Sequence, residues 1–98
     1  MAKPEVKETQ LLSGEIAPGW KIIEPLLVTI EQDEDGSYVV SEDLFAVYGV
    51  GDTPSDALRD YTVSLTDYYD LVSAQAKGDG PTQSLFHRLQ QYVQKAIE

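Results

Sequence analysis

Val28–Leu58 reads VTIEQDEDGSYVVSEDLFAVYGVGDTPSDAL, and it orders three strand-like runs followed by the opening of a helix. Leu26–Glu31 is dense in apolar and β-branched residues, with Val28, Thr29 and Ile30 in sequence, which is the composition of a strand. Asp33-Glu34-Asp35-Gly36 follows as a turn, because Gly36 can take the positive φ that closing a hairpin requires. A second strand, Ser37–Ser41, then pairs back antiparallel. Leu44–Val50 (LFAVYGV) forms a third run joined to the second by Glu42 and Asp43 alone, so the simplest topology is an antiparallel meander of three strands. Alternation sets Leu44, Ala46 and Tyr48 on one face of that third strand and Phe45, Val47 and Gly49 on the other. Both faces carry apolar residues, so one is expected to meet a helix and the other a partner chain.

The helix start is sharply marked. Thr53 suits the N-cap, Pro54 suits the first helical position because its missing N–H would be unpaired there anyway, and Asp56 complements the helix dipole. Ala57, Leu58, Tyr61, Leu65, Tyr68 and Val72 then recur at spacings that predict a core-facing stripe running to about Ala76. Tyr68 and Tyr69 are adjacent, so they project ~100° apart on a helix and only one can lie fully on that stripe; Tyr69 is left as the interface candidate. Lys77-Gly78-Asp79-Gly80-Pro81 stops the helix, with a glycine for a left-handed C-cap and the proline opening a second helix. Residues 81–98 repeat the helical pattern through Leu85, Leu89, Tyr92, Val93 and Ala96.

Upstream, residues 11–25 mix apolar positions with Gly14, Pro18, Gly19 and Pro25, which predicts only a short edge strand at Trp20–Ile23. Residues 1–10 are polar and rich in lysine and glutamate, the composition of a flexible tail. The expected fold class is α+β: a three-stranded antiparallel meander packed by a long helix and followed by a second, C-terminal helix, β-β-β-α-α. At 98 residues the chain fits a single domain, 1–98, with one core.

Charge narrows the partners. The chain nets −10, and between Glu24 and Asp70 twelve acids stand against one base, Arg59. Such a field repels nucleic-acid phosphates and attracts basic proteins, acting over a Debye length of ~8 Å at physiological salt. Direct nucleic-acid binding by this acidic core is therefore not expected. There is no cysteine, which removes disulfides and thiolate metal sites, and the apolar runs are too short to cross a membrane, so a cytoplasmic location is expected.

Catalytic chemistry finds little support. His87 is the only histidine and falls inside a helical pattern with no nucleophile motif near it. Gly49-Val50-Gly51 lacks the remaining residues of a dinucleotide or phosphate loop, and no cofactor fingerprint is present. Glu31-x-Asp33-x-Asp35-Gly36 with Glu42 mimics the ligand spacing of a helix–loop–helix calcium site, but its flanks are strand-like and its first position is glutamate, so an acidic hairpin turn explains the same letters.

Taken together, Asp35-Gly36-Ser37-Tyr38-Val39-Val40 and Gly51-Asp52-Thr53-Pro54-Ser55-Asp56-Ala57-Leu58 resemble the paired motifs of the HicB-like antitoxin family, a D-G-x-Y-x-V strand followed by a G-D-T-x-x-E-A helix start. Asp56 stands where that family usually has glutamate, and Ser41–Tyr48 (SEDLFAVY) departs from its proline- and glycine-containing loop. The resemblance covers about Val28–Val72. It implies a sheet-plus-helix fold like a partial double-stranded-RNA-binding domain, a non-catalytic role, and a small basic HicA-type ribonuclease toxin as partner. The residues expected to meet a partner are Asp33, Glu34, Asp35, Glu42 and Asp43 from the acidic field, Phe45 and Val47 from one face of the third strand, and Tyr69. The alternative is a stand-alone structural or regulatory domain of the same fold with no toxin partner; both readings expect a homo-oligomer.

Overall fold

The turn that opens the hairpin is built as its letters require in the computed structural model, which describes residues 7–78 and 80–96. Gly36 sits at φ 94°, Gly36 N donates to Asp33 O at 3.0 Å, and Asp33 N donates to Ser37 O at 2.7 Å. Ser37 N adds a bond to Asp35 Oδ1 at 2.9 Å, the local side-chain bond that suits aspartate to turns. The flanking strands, β2 (Trp20–Gln32) and β3 (Tyr38–Ser41), pair antiparallel from Gln32↔Tyr38 to Thr29↔Ser41. Next, β4 (Tyr48–Gly51) pairs with β3 from Ser41↔Tyr48 to Tyr38↔Gly51, completing the meander.

The third strand is shorter than the run LFAVYGV predicts. Ala46 takes φ 57°, a left-handed conformation that no strand contains, and the chain from Glu42 to Val47 folds as a turn before β4 begins. A long α-helix then follows the meander: α1 (Pro54–Gln75) starts on Thr53, whose Oγ1 accepts from Asp56 N at 3.0 Å. Its buried line is Ala57, Tyr61, Leu65, Tyr69 and Val72, and Leu58 and Tyr68 are half-buried beside it. The helix ends at Ala76 in a right-handed conformation; Gly78 is not among the left-handed glycines, so the expected glycine C-cap is replaced by a tightened last turn in which Gly78 N reaches Gln75 O at 3.3 Å.

Two further strands correct the sequence expectation. Residues 7–17 form β1 (Lys7–Ala17), which pairs with β2 along its length, so residues 7–10 belong to the sheet; residues 1–6 of the expected tail lie outside the described residues. Side-chain composition missed β1 because an edge strand is held largely by its backbone ladder, which polar residues complete as well as apolar ones. Pro18 and Gly19 (φ 81°) make the hairpin turn, and Pro25 sits where β2 carries extra residues between Ile22 and Leu26, a place where a missing N–H is tolerated. At the other end, α2 (Gly80–Tyr92) stops five residues short of Ile97, and Val93–Lys95 becomes β5, pairing with Trp20–Ile22. The free half of β2's second edge accepts those backbone groups, and Ala96 N continues the ladder to Gly19 O at 2.7 Å.

The result is an antiparallel sheet in the order β1-β2-β3-β4, with β5 beside β3 on the same edge of β2 and both helices on one face. Ile22, Leu26, Val28 and Ile30 of β2, Val40 of β3 and the buried line of α1 make the core, closed by Leu89 and Val93. Gly49 is the closest point between the layers: a Cβ placed there would run into the backbone N of Tyr61 and O of Ala57, and would lie 2.6 Å from Tyr61 Cα. Gly49→Ala is therefore expected to destabilise the fold by ~3 kcal/mol or more, since backbone cannot move aside as a side chain can. Urea unfolding should show a lowered midpoint with an unchanged slope; an unchanged midpoint would disprove the close approach.

Candidate partner-binding surface

The acidic residues are not one surface. The turn Asp33–Asp35 lies exposed at one end of the sheet, and because Tyr38 pairs with Gly51 the β4–α1 corner is brought to the same end. Asp52 thus joins Asp33, Glu34 and Asp35. Asp43, also exposed, follows β3 at its opposite end, so it is removed from the turn by the length of that strand, ~14 Å at ~3.4 Å per residue.

Glu42 is not part of any surface. Its side chain is 7% exposed, its Oε1 accepts from Phe45 N at 2.6 Å and its Oε2 from Val47 N at 3.0 Å. A carboxylate with two backbone donors is a structural clamp, and here it holds the turn in which Ala46 goes left-handed. Tyr61 lies beside it, wholly buried, with its hydroxyl lacking a well-formed hydrogen bond. Burial first, and then the neighbouring Glu42 carboxylate, push the Tyr61 phenol far above its ordinary value of 10.0.

Phe45, Val47 and Tyr69 are likewise turned into the core rather than toward a partner. Phe45 meets Tyr92 edge-on at 5.9 Å and tilts against Tyr68 at 6.4 Å, and Tyr69 meets Trp20 and Phe86 edge-on, each at 5.2 Å. The turn clamped by Glu42 directs Phe45 and Val47 inward, and Gly49 lets α1 approach β4 closely. The helix therefore covers the face that bears Gly49, and the Ala57–Tyr61 line directed at Gly49 carries Tyr69, not Tyr68, inward two turns later.

The face that stays open is the other one. Leu11 pairs with Leu27, Val39 with Val50, and Thr29 with Thr9 on one side and Ser41 on the other, with Tyr48 next to Ser41. Leu11, Leu27, Tyr48 and Val50 are all more than half exposed on this face. The signal for it was present in β2, where Ile23 and Leu27 alternate with the buried Ile22, Leu26 and Val28, but register with β1 was needed to read it.

Several other charges are engaged locally. Asp60 Oδ2 accepts from Val50 N at 2.9 Å, Asp56 meets Arg59 at 3.4 Å, and Asp70 meets Lys95 at 2.8 Å, with Lys95 Nζ 5.1 Å from the Trp20 ring. His87 is exposed on α2 in a groove lined by Ser73, Ala76, Lys77, Gln83 and Phe86, which contribute no carboxylate. Among the described residues no group of three or more His, Cys, Asp and Glu side chains is arranged to hold a metal ion, and the acidic turn joins two strands. No helix is long and apolar enough to cross a membrane among those residues.

Glu42→Ala should cost ~3 kcal/mol, because two amides nearly closed to water lose a charged acceptor, and Glu42→Gln should fall between it and the native chain, since one oxygen acceptor remains. Urea midpoints rank the three. Unfolded, the Tyr61 phenol titrates near 10, whereas folded it keeps its proton to higher pH. Its contribution is therefore complete below pH ~10 and lost as pH rises beyond that. Tyr61→Phe is expected to flatten the alkaline loss of stability, read from unfolding midpoints in steps from neutral to alkaline pH; an unaltered slope would contradict the burial of that hydroxyl.

Comparison of the chain with protein-family models, with curated proteins and with solved structures returned no match.

Proposed function

We propose that the chain is a non-catalytic protein-binding module resembling HicB-type antitoxins, acting in the cytoplasm as a homo-oligomer and neutralising a small basic RNase toxin of the HicA type. One observation carries the reading. The two halves of the resemblance, Asp35-Gly36-Ser37-Tyr38 and Gly51-Asp52-Thr53, stand apart in sequence and meet at one end of the sheet through the Tyr38↔Gly51 pair. They bring Asp33, Glu34, Asp35 and Asp52 together beside the start of α1. A negative surface of this kind steers a basic protein and competes with RNA phosphates for it.

Asp43 stands apart from this cluster, at the far end of β3. Glu42, Phe45, Val47 and Tyr69 have no place in the contact, because each is engaged inside the molecule. A second reading, an oligomeric structural or regulatory domain without a toxin, is favoured by the open apolar face of the sheet, which association of like chains would cover.

The test is co-expression with the small basic protein encoded beside this chain. A complex and loss of its RNase activity are expected. Replacing Asp33, Glu34, Asp35 and Asp52 by their amides keeps the turn acceptor at position 35 and should slow association ~10-fold, with dissociation changed far less and the native rate falling as salt rises. No complex, or association indifferent to salt and to these substitutions, leaves the second reading standing alone.

A further inference from the structure

β1 is the outermost strand of the sheet, and among the described residues no strand pairs with its far side. Along its regular part, residues 7–12, alternate residues accordingly point their backbone donors and acceptors outward. Natural sheets blunt such an edge with proline, lysine or a charge turned inward. From Thr9 to Ser13 (TQLLS) this edge has none of these, in a chain of net charge −10.

We propose that the β1 edge pairs antiparallel with the β1 edge of a second copy of the chain, in the two-fold register that sets Leu11 opposite Leu11. That register puts Thr9 opposite Ser13 and Gln10 opposite Leu12. Beyond Ser13 the strand is irregular, with Gly14 at φ 76° and a register shift against β2, so the join is centred on Thr9–Ser13 and contains no acid. Leu11 already pairs with Leu27, so the joined sheet carries an unbroken rung of four leucines, Leu27–Leu11–Leu11–Leu27, on its open face. Directly opposed apolar side chains are the unit by which sheets gain stability, and Leu11, 62% exposed in one copy, is covered by the pairing. A basic partner is drawn instead to the acidic end of the sheet; an edge that is uncharged from Thr9 to Ser13 and self-complementary there fits a like chain, and two-fold symmetry closes the assembly at two copies. The inference rests on the homo-oligomeric part of the reading above and is independent of the toxin.

Light scattering on the native chain at micromolar concentration is expected to give the mass of two copies. Leu11→Lys, which sets like charges opposite each other, is expected to give the mass of one. Because the chain has no cysteine, Leu11→Cys introduces a sole thiol that symmetry places opposite itself. Oxidation should join it into a disulfide dimer ~10-fold faster than Ser13→Cys, whose thiol faces Thr9. Circular dichroism matching the native chain confirms that each variant folds. A native mass of one copy, or equal cross-linking at positions 11 and 13, overturns the proposal. Toxin binding measured on the native chain separates the two ideas: cross-linking of Leu11→Cys without toxin binding by the native chain sinks the antitoxin reading alone.

Discussion

The absence of a side chain at Gly49 is the constraint on which the arrangement of the molecule depends. It lets the backbone of α1 settle against β4 at Ala57 and Tyr61, and that contact determines which line of the helix faces the sheet. Leu65 and Tyr69 follow it inward on the helix. Everything out of phase, Tyr48 and Val50 among them, is left outside. The role of Gly49 is to choose between the two apolar faces of the meander.

What was legible in the sequence was local. The Asp33–Gly36 turn and the Thr53-Pro54 helix start rest on bonds closed within a few residues, and α1 is long enough for its period to be plain. What was not legible depends on residues distant in the chain. β1 and β5 exist because β2 offers them backbone partners, and neither has an apolar pattern strong enough to announce itself. Tyr68 and Tyr69 differ by one residue, and local periodicity could not say which would face Gly49. The end of α2 shows the same limit from the opposite side: Val93 continues the helical stripe on paper, yet its β-branched side chain is equally at home in a strand, and the vacant half of β2's edge decides the matter.

The acidic residues teach a separate lesson about net charge. Glu42 was placed in the recognition field by its formal charge, but a carboxylate that satisfies two buried amides has become part of the backbone's hydrogen bonding. Asp60 on Val50, Asp70 on Lys95 and Asp56 on Arg59 each commit an acidic group to a neighbour in the same molecule. A count of acids along the sequence therefore overstates the field that another protein would meet, because several of them already serve bonds inside the molecule.

β5 pairs with the first residues of β2, so that strand is completed by a segment more than 70 residues further along the chain. During synthesis the β2–β3–β4 hairpins and α1 can form while that half of β2 still lacks a partner, and closing it requires a contact between widely separated segments, the slow kind of step in folding. Trp20 stands at that closure, with the Lys95 ammonium over its ring and Tyr69 against its edge. As the sole tryptophan in this sequence it gives an intrinsic optical reporter at the place where β2 and β5, distant in the chain, are joined.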